Sequence, residues 1–440
     1  MPIISTLEAI LLNVLPVFTG PSGQLFLRLV TGWIVCPARH TITGILPYAD
    51  PHGLRSHDAY HRFFRAAAWC TTELFRVWAT VLVNALCRTG PLWLLTDDTV
   101  HKRTGRRVDG AAWCRDAVRS TGQHVVYVWG LKVVPLCLRV MPPWGGEPLA
   151  LPVAIRLYRK GGPTLLELVE EMMNDLAGWF PERAFYLTAD GFYAPLAGRG
   201  LPRTHVISRI RHDAALYEKP PARRKGQMGR PAKRGPRLPS PAEIARRAKS
   251  WKLVETCERG KPRKRLVHAR RVLWYHVDHD REMLLVISRD PDGKEKDDSF
   301  VTTDLDLIPQ TVVSEFANRW PIEDTFRNVK QYLGAEQPQC WKHRGPERTA
   351  AFAYFLYGVI WLWYIRHGHA STPLPATPWY RQKATPSFAD ARAALRAALW
   401  HKRLFQTVPG KAQMKKLTTP AHPSPCEGCL LDFAKVIERE

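Results

Sequence analysis

The sequence predicts an α/β protein, in which a mixed β-sheet with flanking helices follows a helical N-terminal region and is interrupted by a β-rich insertion. Three observations support this prediction. Residues 1–90 read as helices with few strand signals. From residue 91, short apolar segments alternate with turn residues, as in a sheet. A basic segment broken by Pro and Gly then separates these strands from a second group of helices.

The N-terminal region combines amphipathic and apolar helical segments. Residues 56–65 carry aromatic and basic side chains together, and residues 70–87 continue as a mostly apolar helix. This pattern is as consistent with a helical DNA-binding domain as with a group of helices that contacts no bases.

Five strands and one helix are predicted in the central region. The order is strand, strand, strand, helix, strand, helix or loop, strand, which is that of an RNase H-like fold. In such a fold the first and fourth strands are neighbours, so Asp97 and Asp190, at their ends, are expected to meet. The predicted strands are residues 92–97, 124–140, 149–158, 184–190 and 205–211, and the helix is residues 164–179.

The insertion begins with the most basic part of the chain. Residues 211–271 contain 20 Lys or Arg against 5 Asp or Glu, in a chain of net charge +24. Its Gly229-Arg230-Pro231 centre is similar to an AT-hook, but Met228 replaces the usual Arg, which favours general tracking of a DNA backbone. A solvated loop with no specific role is the alternative. The candidate DNA-binding residues are Arg223, Arg224, Lys225, Arg230, Lys233, Arg234 and Arg237.

The rest of the insertion has regular structure. Ser240 and Glu243 predict a capping box that opens a short helix ending at Lys249. Residues 270–277 and 283–288 then predict a β-hairpin around a polar turn.

Residues 316–330 are predicted to form one helix that carries a carboxylate and two cations. Phe316, Arg319, Glu323 and Lys330 recur at offsets of 3, 7 and 14, which places them along one stripe. Such a stripe suits the binding of phosphate and metal together, provided that other parts of the chain supply further carboxylates.

The order of the three acids resembles that of a bacterial insertion-sequence DDE transposase of the cut-and-paste group with a Tyr-Arg-Glu-Lys signature. Asp97, Asp190 and Glu323 are separated by 93 and 133 residues, and three of the four signature positions match. Phe316 stands where the family has Tyr. The resemblance covers roughly residues 90–365.

The resemblance implies a reaction and a set of ligands. Asp97, Asp190 and Glu323 would hold Mg²⁺, with Mn²⁺ as a substitute, for two-metal cleavage of element ends and their transfer to target DNA. The Asp-x-Thr pattern favours Asp97 over Asp98, although a one-residue slip of the strand would exchange their roles. Arg319 and Lys330 would bind phosphates. The group also implies double-stranded DNA as substrate, a homodimer on that DNA, and in many members a hairpin intermediate.

Composition narrows the classes of protein that remain. The charge favours a nucleic-acid partner over an anionic membrane surface. Residues 350–365 are apolar but shorter than the ~20 residues that span a bilayer, so a buried helix is expected. Nine mostly scattered cysteines favour a reducing, cytosolic compartment. The resemblance to a bacterial transposase implies the bacterial cytoplasm with its nucleoid. Cys426 and Cys429 have zinc spacing but no second pair, so free thiols are favoured.

These features divide the chain into five regions and leave two alternatives. One alternative is a non-catalytic DNA-binding protein of transposase descent, which Phe316 in place of Tyr favours. The other is a structure-specific nuclease with the same fold and no strand transfer. The predicted regions are a helical DNA-binding domain at 1–90, the first core part at 91–212, the insertion at 213–304, the second core part with the Glu helix at 305–370, and a tail or dimerisation region at 371–440.

Overall fold

The computed structural model describes residues 3–116, 119–221, 230, 232–374 and 383–407. Five helices precede the first strand, and the others lie between and after the strands. The helices of this described part are α1 Ile3–Leu12, α2 Gly20–Val35, α3 Ile42–Ala49, α4 His57–Arg65, α5 Thr71–Leu86, α6 Leu165–Trp179, α7 Pro241–Arg247, α8 Pro309–Ala317, α9 Pro321–Gln331, α10 Gly345–Trp363, α11 His369–Ser371 and α12 Phe388–Thr407.

The strands of the described residues form one 11-stranded sheet. Its main path runs β2-β4-β1-β6-β7-β11-β10-β9-β8, while β3 and β5 also pair with the long strand β4. The strands are β1 Leu92–Thr96, β2 Thr99–Lys102, β3 Ala112–Arg115, β4 Tyr127–Val140, β5 Leu149–Tyr158, β6 Phe185–Ala189, β7 Thr204–Arg209, β8 Lys252–Glu258, β9 Lys261–Val272, β10 Met283–Arg289 and β11 Asp298–Thr302.

The central strands confirm the predicted RNase H-like fold. Strand β4 pairs antiparallel with both β1 and β5, whereas β1, β6 and β7 are parallel to one another. The five strands predicted for this region are all present, and the second begins three residues later than predicted, at Tyr127. Helix α6 follows β5 and begins with a capping box made by Thr164 and Glu167.

The insertion extends this sheet. Strand β11 pairs antiparallel with β7, and β10, β9 and β8 follow outwards, so the predicted hairpin is the pair β9–β10. The hairpin prediction missed the first nine residues of β9 and the whole of β8. The charges of Lys261, Arg263 and Arg265 favour a basic arm over a strand when only the sequence is considered. Helix α7 and its Ser240–Glu243 capping box are confirmed, but the helix ends at Arg247.

Helix α10 lies at the centre of the helical layer. Every one of its residues except Glu347 is buried, which confirms the buried helix predicted there. No helix in the described ranges has both the length and the apolar character needed to span a membrane.

The N-terminal helices pack on the same core as the sheet. Phe26 of α2 meets Phe352 of α10 edge to face, with ring centroids 6.0 Å apart. The indole of Trp33 donates a hydrogen bond of 2.8 Å to the carbonyl of Leu333. The buried Arg348 side chain of α10 donates to the main-chain carbonyls of Phe64, near the end of α4, and of Trp69, which follows that helix. Residues 3–90 are therefore joined to the sheet through a continuous apolar core.

The single helix predicted for residues 316–330 is wrong. Helix α8 ends at Ala317 and helix α9 begins at Pro321. Proline has no N–H to donate to the carbonyl one turn earlier, so the α-helical ladder stops there. Tight bonds take over between the helices, from the N–H of Arg319 to Phe316 (3.2 Å) and from that of Trp320 to Ala317 (3.3 Å). Arg319 consequently lies in a bend, where its side chain is not restricted to the stripe of a straight helix.

Candidate functional site

Asp97 and Asp190 follow two neighbouring parallel strands. Thr96 of β1 is paired with Ala189 of β6, so the next residue of each strand is an aspartate at the same edge of the sheet. The Asp190 carboxylate accepts a hydrogen bond from the N–H of Phe192 at 3.0 Å. The structure therefore brings together the two aspartates that the sequence placed at strand ends.

The Asp97 carboxyl is in an environment that disfavours its ionised form. Burial raises its pKa to about 6; the nearby Arg319 guanidinium opposes this increase, and the negative charge of Asp190 adds to it. A carboxylate with a raised pKa beside a second carboxylate is typical of sites that bind cations or move protons.

Arg319 connects Asp97 to the third acid. One guanidinium nitrogen lies 2.6 Å from the Asp97 carboxylate, and another lies 3.6 Å from that of Glu323. The Arg319 side chain is only 11 % exposed, and its guanidinium lies over the Phe316 ring at 5.7 Å. Burial raises the pKa of Glu323, and the Arg319 charge opposes that increase. Acids that are far apart in the sequence thus meet around one buried cation.

Asp98 has different partners from Asp97. Its carboxylate forms an ion pair with Lys132 at 2.9 Å and accepts a hydrogen bond of 2.9 Å from the Tyr193 hydroxyl. Both partners hold Asp98 in place, and no bond to Arg319 is among its contacts. The geometry therefore favours Asp97 as the acid that faces Asp190 and Glu323.

The three carboxylates have the oxygen donors that a hard divalent cation prefers. In this conformation, no group of three or more His, Cys, Asp or Glu side chains within the described ranges is close enough to bind a metal ion. The physical reason at this site is the Arg319 guanidinium, which lies between Asp97 and Glu323. The donor set fits a divalent metal, but binding requires the Arg319 side chain to withdraw.

Lys330 lies apart from this group. Its ammonium donates a hydrogen bond of 2.8 Å to the hydroxyl of Thr99, and burial lowers its pKa. The Lys330 ammonium is therefore directed at the start of β2, next to the segment that carries Asp97. Through Thr99 it holds that segment in place.

The bend between α8 and α9 is held by the β8–β9 hairpin. The Asn318 carboxamide accepts a hydrogen bond of 2.9 Å from the N–H of Arg259 and donates one of 3.3 Å to the carbonyl of Cys257. Asn318 is only 5 % exposed. Helix α8 also covers the free edge of β8, where the hydroxyl of Ser314 accepts the N–H of Cys257 at 3.0 Å.

A two-residue turn brings the hairpin tip to the site. Arg259 and Gly260 both have positive φ, 53° and 73°, as a type I′ turn requires. A Cβ on Gly260 would lie 2.2 Å from the main chain of Gly146, so only glycine fits there. The Arg259 guanidinium pairs with Glu147 at 2.6 Å and stacks on the ring of Trp320 at 5.3 Å.

A cavity of about 810 Å³ adjoins Asp190 and Arg319. One wall is formed by the segment after β6 and by the α8–α9 bend, where Phe192 and Trp320 are 56 % and 43 % exposed. The β8–β9 hairpin, the β10–β11 loop and the end of β7 also line the cavity. The cationic residues that these elements contribute are Arg209, Arg259, Lys261, Arg263, Arg265 and Lys296.

Sequence reasoning did not single out these cavity cations. A signal was present, because Lys261, Arg263 and Arg265 alternate as residues on one face of a strand do. The two-residue turn Arg259-Gly260 between charged strands was a second signal.

The predicted basic arm lies elsewhere. Arg223, Arg224 and Lys225 fall outside the described residues, as do Cys426 and Cys429. The four other arm residues are exposed, and none of these four lines the cavity: Arg230, Lys233, Arg234 and Arg237.

One of these four arm residues is engaged with aromatic rings. The Arg234 guanidinium lies over the rings of Tyr217 (4.5 Å) and Tyr275 (5.2 Å). A guanidinium stacked in this way keeps its charge and its planar edge for a further partner.

Comparison with known proteins identifies the family of this chain. No curated protein matches the chain. A family model described as "DDE superfamily endonuclease" matches residues 22–281, which is more than half of the chain. The matched region contains Asp97 and Asp190 and ends before Glu323. The chain belongs to the DDE superfamily endonuclease family.

Proposed function

We propose that this protein is a DNA transposase that cleaves the ends of an insertion sequence and joins them to target DNA. The observation that carries the proposal is that Asp97 and Asp190 follow paired strands, while Arg319 is bonded to Asp97 and lies close to Glu323. Membership in a family of DDE endonucleases supports it independently. The net charge of +24 is typical of a protein that binds DNA.

In the proposed mechanism, Asp97, Asp190 and Glu323 hold divalent cations, with Mg²⁺ as the natural ion and Mn²⁺ as a substitute. Bound there, two such ions activate the attacking oxygen and stabilise the leaving oxygen and the charge on phosphorus. Asp97 is mostly ionised at neutral pH even with a pKa of about 6, so its oxygens are available as ligands.

Arg319 is proposed to give up its contacts with Asp97 and Glu323 and to bind a phosphate of the DNA instead. Its Nε is buried and has no hydrogen-bond partner among the described residues, so part of the fork is free to bind a phosphate oxygen. Withdrawal of the rest of the guanidinium from Asp97 and Glu323 would leave these carboxylates to hold divalent cations and would turn the guanidinium towards the DNA. Lys330 keeps β2 and the Asp97 segment in place through Thr99.

The proposed reaction has two displacements at phosphorus. Water attacks a phosphodiester at the element end, the P–O3′ bond breaks, and a 3′-hydroxyl leaves with a proton. That hydroxyl then attacks a phosphodiester of target DNA, forming a new P–O3′ bond and releasing another 3′-hydroxyl. We propose double-stranded DNA as the substrate, a homodimer that pairs two ends, and action in the bacterial nucleoid.

The test compares two adjacent acids of α9. Glu323→Gln should abolish Mg²⁺-dependent cleavage of element-end DNA while leaving DNA binding intact. Asp324→Asn is the matched control, because Asp324 pairs with Arg327 at 2.7 Å rather than with Arg319, and it should still cleave. Retained cleavage by Glu323→Gln would refute the assignment of the site.

A nuclease that performs no strand transfer is the second candidate. Phe316 favours it, since its ring lies against Phe300 at 4.7 Å and lines the cavity without a hydroxyl. Pre-cleaved DNA ends with a 3′-hydroxyl should be mixed with a plasmid target. Joined products support the transposase, whereas cleavage activity without joined products identifies a nuclease.

A further inference from the structure

The cations of the cavity fall into two classes. Five arginines are already paired with carboxylates, whereas Lys261 and Lys296 take part in none of the ion pairs formed by the described residues. Both lysines are exposed, so a phosphate can bind to either without breaking an existing pair. The paired residues are Arg209 with Asp298, Arg259 with Glu147, Arg263 and Arg265 with Glu258 and Glu295, and Arg319 with Asp97.

The two lysines are held on one wall of the cavity. Lys261 is the first residue of β9, immediately after the hairpin turn, and Lys296 lies in the β10–β11 loop. Glu295, next to Lys296, pairs with Arg263 at 2.9 Å and with Arg265 at 2.6 Å. These ion pairs fasten the loop to β9, which keeps Lys296 beside the strand that begins with Lys261.

The cavity lining also offers aromatic surface. Phe192 follows Asp190 by two residues and is more than half exposed. Trp320 is also exposed, and Arg259 stacks on its ring. Basic side chains facing exposed aromatic rings are the combination with which proteins hold single-stranded nucleic acid.

We propose that this cavity binds a single strand of DNA, with its phosphates on Lys261 and Lys296 and a base against Phe192. The volume of about 810 Å³ is in the range of small-ligand sites, so it has room for a short piece of one strand. Bases inside a duplex are paired and stacked on one another, so they are not free to stack on Phe192. The inference rests on the proposed function, because it takes DNA as the substrate of the adjacent acids.

The test measures which lysines a DNA strand protects. The full chain, in EDTA to prevent cleavage, is acetylated with and without a short oligothymidylate, and the modified lysines are quantified by mass spectrometry. Lys261 and Lys296 should be protected. Lys264 and Lys294 are internal controls, because both are exposed and neither lines the cavity.

A second measurement uses variants. Lys261→Ala with Lys296→Ala should reduce the salt dependence of oligothymidylate binding by about 1.4 in the slope of log K against log salt, about 0.7 for each phosphate. The double variant Lys264→Ala with Lys294→Ala should leave the slope unchanged. Phe192→Ala should weaken binding about tenfold through loss of one stacked base.

The outcomes separate this inference from the proposed function. Equal protection of all four lysines, or equal slopes for the two double variants, would overturn the inference. Equal protection of Lys261 and Lys296 by a blunt duplex would also overturn it. If Glu323→Gln also loses cleavage, any of these three results would refute only the binding of a single strand in the cavity. The proposed transposase function would still hold.

Discussion

Replacing Asp97 by Asn should make the protein more stable at neutral and alkaline pH, provided that no divalent metal is present. The Asp97 carboxyl is largely buried and lies near the charge of Asp190, which raises its pKa from 3.8 to about 6. An increase of this size corresponds to about 3 kcal/mol once the folded carboxyl has to be ionised. Asparagine resembles the protonated carboxyl and avoids this penalty.

The direction of this change in stability follows from the protonation of Asp97 in the folded and the unfolded chain. Well below pH 4 the carboxyl carries a proton in both the folded and the unfolded chain, so ionisation contributes nothing. As the pH rises through about 6, the unfolded carboxyl is already ionised and the folded one must ionise at a cost. The free energy of unfolding of Asp97→Asn, relative to the native protein, should therefore increase by about 3 kcal/mol between pH 4 and pH 8.

Urea unfolding in EDTA, followed by tryptophan fluorescence, measures this difference. Asp98→Asn is the matched control, since it removes the charge that pairs with Lys132, keeps an oxygen that accepts from the Tyr193 hydroxyl, and should lower stability by about 1–3 kcal/mol. A difference between Asp97→Asn and the native protein that does not change from pH 4 to pH 8 would refute the reasoning. Saturating Mn²⁺ should reverse the advantage, because the native site then has a ligand for its charge.

Two further substitutions test the contacts around the bend between α8 and α9. Arg319→Gln should tighten Mn²⁺ binding in the absence of DNA, because it removes the cation between Asp97 and Glu323. Electron paramagnetic resonance of free Mn²⁺ measures this affinity. An affinity equal to that of an Arg327→Gln control would contradict the prediction. Asn318→Ala removes both hydrogen bonds to the hairpin turn and should lower the free energy of unfolding by about 1–3 kcal/mol. Urea denaturation checks this value, and an unchanged midpoint would show that the hairpin is not held there.

Sequence patterns were reliable where burial alone specifies the structure. The segment 92–97 is continuously apolar, and such a segment is stable only inside a sheet covered on both faces. The same reasoning predicted the other central strands and the buried helix α10. The positions of Asp97 and Asp190 at strand ends followed directly from these strands.

Sequence patterns failed where charged residues are neutralised by distant partners. The start of β9 reads as a basic arm, but Arg265 is paired with Glu258 across the hairpin and with Glu295 from a loop 30 residues away. These carboxylates allow a charged strand to join the sheet. Their proximity is visible only in the folded chain.

The sequence by itself determined the sheet, the buried helix and the order of three acids, because apolar periodicity and strand ends are local properties. It placed Arg319 and Glu323 on one continuous helix, which the structure corrects. Pro321 was a local signal for the helix break that the sequence prediction overlooked. Tertiary structure decided that Asn318 is held by a hairpin and that the Arg319 guanidinium lies between Asp97 and Glu323. The physical reason is that these contacts join residues up to 222 positions apart, and the energy of a buried charge depends on which opposite charges the fold brings to it.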